Sequence, residues 1–215
     1  MRNPNLLDCV IYGGGGHAAV AIECLRLSGS ANPVAVLDDG LPVGTAIDGV
    51  SVLGGGDMAG QLLAQGVRGF FCGVGSTGYS AVRKRIYENA VALGFTAVTA
   101  IHPGAVVSNS VEIGDGALVS AGAIISTGAK IGINVIINTG AIIDHHCVIG
   151  EHAHIASGAV LSGAVVVGPC AHVGAGAAIM QQIRVGANSV VGVGATVVKD
   201  VPDRMTVFGE RARTR

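Results

Sequence analysis

The chain has 215 residues, of which 50% are hydrophobic and 13% charged, and its formal net charge is −1. A charge so close to zero offers no electrostatic basis for binding nucleic acid or an anionic membrane. No apolar run reaches the roughly 18 residues of a membrane-spanning helix, because polar residues and glycines interrupt every stretch. These numbers predict a protein of one or two domains that has neither nucleic acid nor membrane as a partner.

The cysteines and the N-terminus indicate the compartment. The five cysteines form no CxxC pair, and their odd number argues against a disulfide framework. No cationic segment followed by a long apolar core opens the chain, so we expect no signal peptide. We therefore expect a cytoplasmic protein without a cysteine-based metal site.

Residues 1–98 alternate short apolar runs with segments of helical apolar spacing. Such alternation is typical of a small parallel sheet with crossover helices, so an α/β domain is predicted. The charged residues of the last helix are expected on its solvent face: Arg83, Lys84, Arg85 and Glu88. The predicted elements are, in chain order, a strand at 7–12, a helix at 18–27, a strand at 34–37, a helix at 58–65, a strand at 70–74 and a helix at 81–93.

Residues 13–17, four glycines and a histidine, follow the first strand and open the first helix. Backbone N–H groups at such a helix start can hold phosphate. Gly13, Gly15 and Ala18 satisfy the dinucleotide fingerprint GxGxxG/A, and Asp38 follows about 20 residues later. The domain is nevertheless short for a complete NAD-binding fold. Nucleotide binding and a plain strand-end turn at Asp38 both remain open.

From Ile101 to Val197, every sixth residue is aliphatic, and the residue four places after each is small or aliphatic. A period of six fits neither an α-helix nor an amphipathic strand, and it is the hexapeptide signature of a parallel β-helix. The position three after each aliphatic residue favours types that tolerate positive φ. Those corner residues are Gly104, Gly116, Gly122, Gly128, Gly140, Gly158, Gly176, Gly194, Asn134, Asn188 and Asp200, with His146 and His152 in the same slot.

Both halves of the chain resemble the nucleotide-sugar acyltransferases that join a small Rossmann-like domain to a left-handed β-helix. The matching segments are residues 11–18, 37–39, 138–145, 147–154 and 207–209. The family includes N-acetyltransferases of the perosamine and bacillosamine type and sialic acid O-acetyltransferase-like proteins. In the family's tail a proline usually lies two residues after the last glycine, whereas Glu210 and Arg211 follow Gly209 here.

The change from alternating strands and helices to the six-residue period predicts a domain boundary near residue 98, and the resemblance implies a role for each part. Residues 1–98 would bind the nucleotide sugar, and residues 99–215 would form the acetyltransferase β-helix and a basic tail. The resemblance also implies an acetyl-CoA-dependent N-acetyltransferase that acts on a UDP- or GDP-linked 4-amino-4,6-dideoxy sugar. Such enzymes are homotrimers with active sites in the clefts between coils, and they need no metal.

His145 is the first candidate for the chemistry. It lies two residues after Ile143, at a corner where the coil register directs it outward. Imidazole titrates near neutral pH and can accept the proton of an attacking amine, and the resemblance implies this role. The alternative is a surface corner histidine. The family often has a carboxylate directly after the base, but here His146 follows, so Asp144 and His146 are the possible supports.

The resemblance assigns binding roles to further residues. Gly163 lies 18 residues after His145, one turn later, where its N–H could stabilise an oxyanion, although a glycine also suits backbone geometry. His154, one turn before His172, would contact acetyl-CoA together with Gly163; the alternative is that His154 and His172 are a stacked pair of surface imidazoles. The residues expected to line the sugar-nucleotide site are Gly15, Gly16, His17, Asp38, Asp39 and Gly75.

Other functions fit parts of the pattern. A sugar O-acetyltransferase differs only in its hydroxyl acceptor, and a non-catalytic nucleotide-binding or scaffold trimer would use the first domain alone. Hexapeptide carbonic anhydrases bind zinc through histidines about two turns apart and five residues apart, but no two histidines here have either spacing. Cys147 lies on the inward column, which favours a packed thiol over a nucleophile.

Overall fold

The structure is a computed structural model that describes residues 3–78 and 81–209. Its chain forms two compact units. The first contains residues 3–75, 81–103 and 115–118, and the second contains residues 76–78, 104–114 and 119–209. Residues 210–215 lie outside the described residues. They include the rest of the basic tail and the position at which the family usually has a proline.

The first unit contains a six-stranded sheet in the order β3-β4-β2-β1-β5-β6, parallel except for the β3–β4 pair. Its elements are β1 Asp8–Tyr12, α1 Gly16–Ser28, β2 Asn32–Leu37, β3 Ala46–Ile47, β4 Val50–Gly54, a 3-10 turn Gly56–Met58, α2 Ala59–Ala64, β5 Gly69–Cys72, α3 Ala81–Leu93, β6 Thr96–Ala97 and β7 Ala100–Ile101. The predicted α/β domain is therefore confirmed. The β3–β4 hairpin was not predicted.

The helix α1 shows how the sequence pattern forms this core. Ala18, Ala21, Ile22 and Leu25 are fully buried, which is the i, i+3, i+4, i+7 spacing of one helix face. The helix ends where Gly29 takes the left-handed conformation and its N–H donates to the Arg26 carbonyl. The helix begins at Gly16, and the glycines of residues 13–15 connect it to the end of β1.

The prediction that Arg83 lies on the solvent face of α3 is wrong. Arg83 is only 1% exposed, and its guanidinium donates to the carbonyls of Val74 and Cys72. It shares one helix face with Tyr87 and Ala90, at spacings of four and seven residues, and this face is the buried one. A guanidinium can occupy such a site because carbonyl oxygens accept its N–H groups.

The second unit is the β-helix, and the left-handed parallel coil predicted for this half is confirmed. Each turn contributes one two-residue strand to each face, and successive strands pair in register 18 residues apart. Ile143, for example, stacks between Ile125 and Leu161, and all three side chains are buried. The aliphatic column is therefore the core of the coil.

The strands of the coil form three parallel faces. The first face contains β8 Val106–Val107, β11 Ile124–Ile125, β14 Ile142–Ile143, β17 Val160–Leu161, β20 Ala178–Ile179 and β23 Thr196–Val197; the second contains β9 Glu112–Ile113, β12 Lys130–Ile131, β15 Val148–Ile149, β18 Val166–Val167 and β21 Arg184–Val185; the third contains β13 Ile136–Ile137, β16 His154–Ile155, β19 His172–Val173, β22 Val190–Val191 and β24 Thr206–Val207. Another strand, β10 Leu118–Val119, keeps the same six-residue spacing.

Most predicted corners adopt positive φ, but Gly104 and Asp200 do not. Asp200 instead accepts the Arg184 N–H through its carboxylate, at 2.8 Å, where the chain leaves the register. Four described residues of the second unit that were not predicted as corners take the left-handed conformation: Ala164, Cys170, Gln182 and Arg204. The ladder imposes it, because the N–H of each donates to a carbonyl of the preceding turn.

Candidate active site

His145 lies at the exposed corner between β14 and β15, as the register predicted. Its imidazole covers Gly163 of the next turn. A Cβ built on Gly163 would lie 2.5 Å from both Cε1 and Nε2 of the ring. Because Gly163 has no side chain, the His145 ring can occupy the space beside this glycine, with its Nε2–Cε1 edge toward it.

The Nδ1 atom of His145 lies 3.0 Å from Nδ1 of His146. The two rings are nearly perpendicular, with centroids 5.3 Å apart. His146 takes the corner conformation, with φ 58°, and its N–H donates to the Thr127 carbonyl. Its ring rests on Gly128, where an added Cβ would lie 2.8 Å from Cδ2. His146 is thus both a corner residue and the partner of the His145 imidazole.

Asp144 contacts the same corner in a different way. Its Oδ1 accepts the backbone N–H of His145 at 2.6 Å. The carboxylate therefore stabilises the main chain before the histidine, while the imidazole is hydrogen-bonded to His146.

Gly163 also provides a backbone donor beside the His145 ring. Its carbonyl accepts the Gln182 N–H at 2.9 Å, but within residues 3–78 and 81–209 its own N–H has no acceptor. A donor that the ladder does not use is available to a developing oxyanion. The corner thus brings an imidazole and an unused backbone donor together within one turn.

His154 and His172 lie next to each other on β16 and β19, and both are buried, with 5% and 6% exposure. Their ring centroids are 4.9 Å apart. Nδ1 of His154 lies 2.9 Å from the Ser76 carbonyl oxygen, and its Nε2 lies 3.3 Å from Nδ2 of Asn138. Burial lowers the pKa of His172. The Ser76 and Asn138 contacts were not anticipated, since nothing in a hexapeptide pattern indicates which polar groups meet.

The glycine loop of the first unit is open to a ligand. The helix α1 begins at Gly16, and Gly15 at its cap provides no side-chain hydrogen bond. A Cβ added at either glycine would meet nothing within 4 Å. Unpaired N–H groups at a helix start bind anions, so an oxyanion can approach this backbone closely.

Asp38 and Asp39 organise the loops around the glycines. Asp38 accepts the N–H groups of Gly14 at 2.7 Å and Gly40 at 2.9 Å. Asp39 accepts the Gly56 N–H at 3.0 Å. These loops border a cavity of about 420 Å³, whose lining includes Tyr12, Gly13, Asp38, Asp39, Arg85 and Asn89.

His17 is the titratable residue of the glycine loop. Burial, and then the positive charge of Arg83, lowers the pKa of His17 to about 4. Its Cβ is also the nearest atom to a side chain placed on Gly75, at 3.3 Å. His17 is therefore neutral at pH 7, and only a glycine fits comfortably beside it.

The predicted residues thus form separate groups. Asp144, His145, His146 and Gly163 meet at one corner of the coil. The glycine loop, Asp38, Asp39 and Gly75 belong to the first unit. No cluster of His, Cys, Asp or Glu that could bind a metal occurs in the described ranges, and none of the described helices has the length and hydropathy to cross a membrane.

Two family models match the sequence: the PglD N-terminal domain over residues 8–90, and the bacterial transferase hexapeptide (six repeats) over residues 128–163. A search of curated proteins found no match.

Among solved structures, PerB from Caulobacter crescentus in complex with CoA and GDP-perosamine is 39% identical, with a TM-score of 0.88 and 94% of each chain covered. Histidine variants of this perosamine N-acetyltransferase match as well. The acetyltransferase domain of PglB from Neisseria gonorrhoeae is 36% identical over 94% of this chain and 96% of that chain, with a TM-score of 0.87. WeeI from Acinetobacter baumannii is 28% identical over 96% and 99%, with a TM-score of 0.79.

The matches to PerB and to the PglB domain cover 94% of this chain and therefore extend over both units. This chain therefore belongs to the family of hexapeptide-repeat nucleotide-sugar acyltransferases that carry a PglD-type N-terminal domain, and it is an acyltransferase.

Proposed function

We propose that the protein transfers the acetyl group of acetyl-CoA to the amine of a nucleotide-linked 4-amino-4,6-dideoxy sugar. The observation that carries the proposal is the exposed corner, where the His145 imidazole lies on Gly163 and the Gly163 N–H has no acceptor among the described residues. The CoA and GDP-perosamine complexes of a 39% identical structure support the choice of both substrates.

The corner supports a direct transfer. Nε2 of His145 accepts a proton from the amine as its nitrogen attacks the thioester carbonyl. The Gly163 N–H donates to the oxygen as it becomes an oxyanion. The C–S bond then breaks, coenzyme A leaves as the thiol, and the sugar carries the new amide. Holding the amine and the thioester together supplies much of the rate, so no acyl-enzyme and no metal are required.

The first unit would bind the nucleotide sugar. In this proposal the backbone of Gly15 and Gly16 holds phosphate at the start of α1, and His17 contributes a neutral imidazole. Asp38 and Asp39 keep the neighbouring loops in place.

Two further residues complete the proposed site. Gly75 lines the sugar-nucleotide site with the glycine loop, because its lack of a side chain leaves room beside His17. His154 contacts the coenzyme through a ring edge, since it is only 5% exposed.

The proposal includes a homotrimer. One outer face of the coil exposes an apolar stripe in register: Val106 is 64% exposed, Ile124 is 39% exposed and Val160 is 37% exposed. Apolar surface of this kind is typical of interfaces, which supports association between copies. A cytoplasmic location is proposed with it, because all five cysteines are buried and none of them forms a disulfide in the described structure, as expected in a reducing compartment.

The test is an assay of thiol release from acetyl-CoA with UDP-, GDP- and dTDP-linked 4-amino sugars, and with hydroxyl acceptors alongside. We expect turnover with an amino sugar and a loss of at least about 100-fold in His145→Ala, as for a general base. His102→Ala is the control and should keep full activity. Equal turnover by His145→Ala would discard the base, and release only with hydroxyl acceptors would replace the N-acetyl reaction with O-acetylation.

A further inference from the structure

We infer that His146 is a positioning residue that holds His145 in the tautomer able to act as a base. This inference rests on the proposed function for its role in turnover. The observation beneath it is the 3.0 Å contact between the two Nδ1 atoms, which exists whatever the substrate.

Two facing Nδ1 atoms can form a hydrogen bond only if one of them carries hydrogen and the other a lone pair. If Nδ1 of His145 donates, its Nε2 bears the lone pair and can accept a proton. If His146 donates instead, Nε2 of His145 carries hydrogen and cannot act as a base. The contact therefore couples the reactivity of His145 to the protonation of its neighbour.

The glycines on either side select the geometry of this pair. The His145 ring lies on Gly163, and the His146 ring lies on Gly128, so the turns above and below each hold one imidazole. The positive φ of His146, 58°, turns its ring back toward Nδ1 of His145. An imidazole at this corner thus does what a carboxylate would do next to the base, but without a negative charge.

None of the described charged groups near the pair replaces His146 as the hydrogen-bond partner of the His145 ring. Asp144 accepts the backbone N–H of His145 through Oδ1, and among the described residues no hydrogen bond joins its carboxylate to the His145 ring. The adjoining corners consist of residues 126–128 and 162–164, which carry no charge. When Nε2 accepts the amine proton, the imidazolium keeps its Nδ1–H bond to the His146 lone pair. The proton then leaves with the coenzyme A thiol, and the pair is restored.

The first test does not depend on activity. Nitrogen-15 NMR of histidine-labelled protein, with His145→Ala used for assignment, distinguishes protonated from unprotonated ring nitrogens. We expect His145 to carry hydrogen on Nδ1 and none on Nε2 at pH 7.5, and we expect this preference to be lost in His146→Gly. Glycine suits the corner because it tolerates positive φ. An Nε2–H form of His145 in the native protein, or unchanged His145 signals in His146→Gly, would overturn the inference.

The second test is kinetic. We expect His146→Gly to lower kcat roughly 10-fold, within the usual contribution of a base, and to leave both KM values unchanged. His146→Asp should restore kcat and move the acidic limb of the kcat profile to higher pH, since an adjacent carboxylate stabilises the imidazolium.

Asn188→Gly, another corner with positive φ, is the matched control and should behave like the native enzyme. Native kcat and an unmoved profile in both His146 variants would reduce His146 to a corner residue. If the native protein acetylates no acceptor, the proposed function fails, while the nitrogen spectra still decide whether the pair exists.

Discussion

Two pairs of histidines in the coil differ in their access to solvent and in their hydrogen bonding. His145 and His146 touch at an exposed corner, and His154 and His172 touch on a flat face where both are buried. Centroid distances are similar, 5.3 Å and 4.9 Å. Burial lowers the pKa of His172, so this imidazole is neutral at pH 7. The contrast teaches that two touching imidazoles can lie exposed at a corner or buried on a strand face, and that the exposed pair is the more accessible to a ligand.

The largest effect is expected from disturbing the exposed pair. In Gly163→Ala the new Cβ would lie 2.5 Å from Nε2 of His145, so the ring must move. We expect kcat/KM to fall by up to about 100-fold, because a displacement near 1 Å can cost that much. Ser157→Ala, at the same slot of another corner, should have native kinetics. Full activity in Gly163→Ala would show that catalysis does not require the His145 ring to occupy the space beside Gly163.

The buried pair should respond in stability instead. Nδ1 of His172 has no hydrogen-bond partner in the described part of the chain, so His172→Leu removes an unsatisfied group and should change the unfolding free energy at pH 7 by no more than about 1 kcal/mol. Because folding lowers the pKa of His172 below its ordinary 6.5, the unfolded chain binds the proton first as the pH falls. The stability that the neutral ring retains above pH 6.5 is therefore lost below it.

Urea unfolding at pH 7 and pH 5 measures this difference. The native protein should lose more stability than His172→Leu over that interval. Equal losses of stability in the native protein and in His172→Leu would show that the His172 imidazole is solvated. The two pairs would then not differ in their access to solvent.

A comparison of two glycines separates the displacement of the His146 ring from backbone strain. Gly128 and Gly122 both have φ near 70°, at 70° and 69°. Alanine at either should cost about 1–2 kcal/mol of stability, the price of a left-handed L-residue. Only Gly128→Ala also meets the His146 ring, at 2.8 Å, whereas Gly122→Ala finds its nearest atom at 3.9 Å. We expect kcat to fall in Gly128→Ala alone, and thermal unfolding of both variants measures the loss of stability that they share. Equal kcat values in the two variants would contradict a role for the His145–His146 pair.

The smallest effect is expected at Cys147, which lies two residues from His145. Burial raises the pKa of its thiol, and its Sγ donates to the Ser162 carbonyl. Cys147→Ala should therefore keep kcat within about 2-fold, since a packed, protonated thiol is no nucleophile. A thiol reagent should likewise leave the native enzyme unmodified. Inactivation by the reagent at one equivalent would contradict this assignment.

The fold was largely accessible from the sequence because its signals are local and repeated. A six-residue period required Ile143 to lie inside and His145 outside, and the structure agrees. The buried Arg83 could have been found from its spacing to Tyr87 and Ala90 on one helix face. The β3–β4 hairpin had no comparable signal, because two strands of 2 and 5 residues are too short to show a period.

By itself, the sequence determined the α/β domain, the coil, the outward direction of His145 and the 18-residue step to Gly163. Only the tertiary structure decided which partner each imidazole meets. The His145 ring turned to His146 and not to Asp144, and His154 found Ser76 and Asn138. The physical reason is that repeats specify backbone positions, whereas side-chain partners depend on torsions and on space left by residues a full turn away.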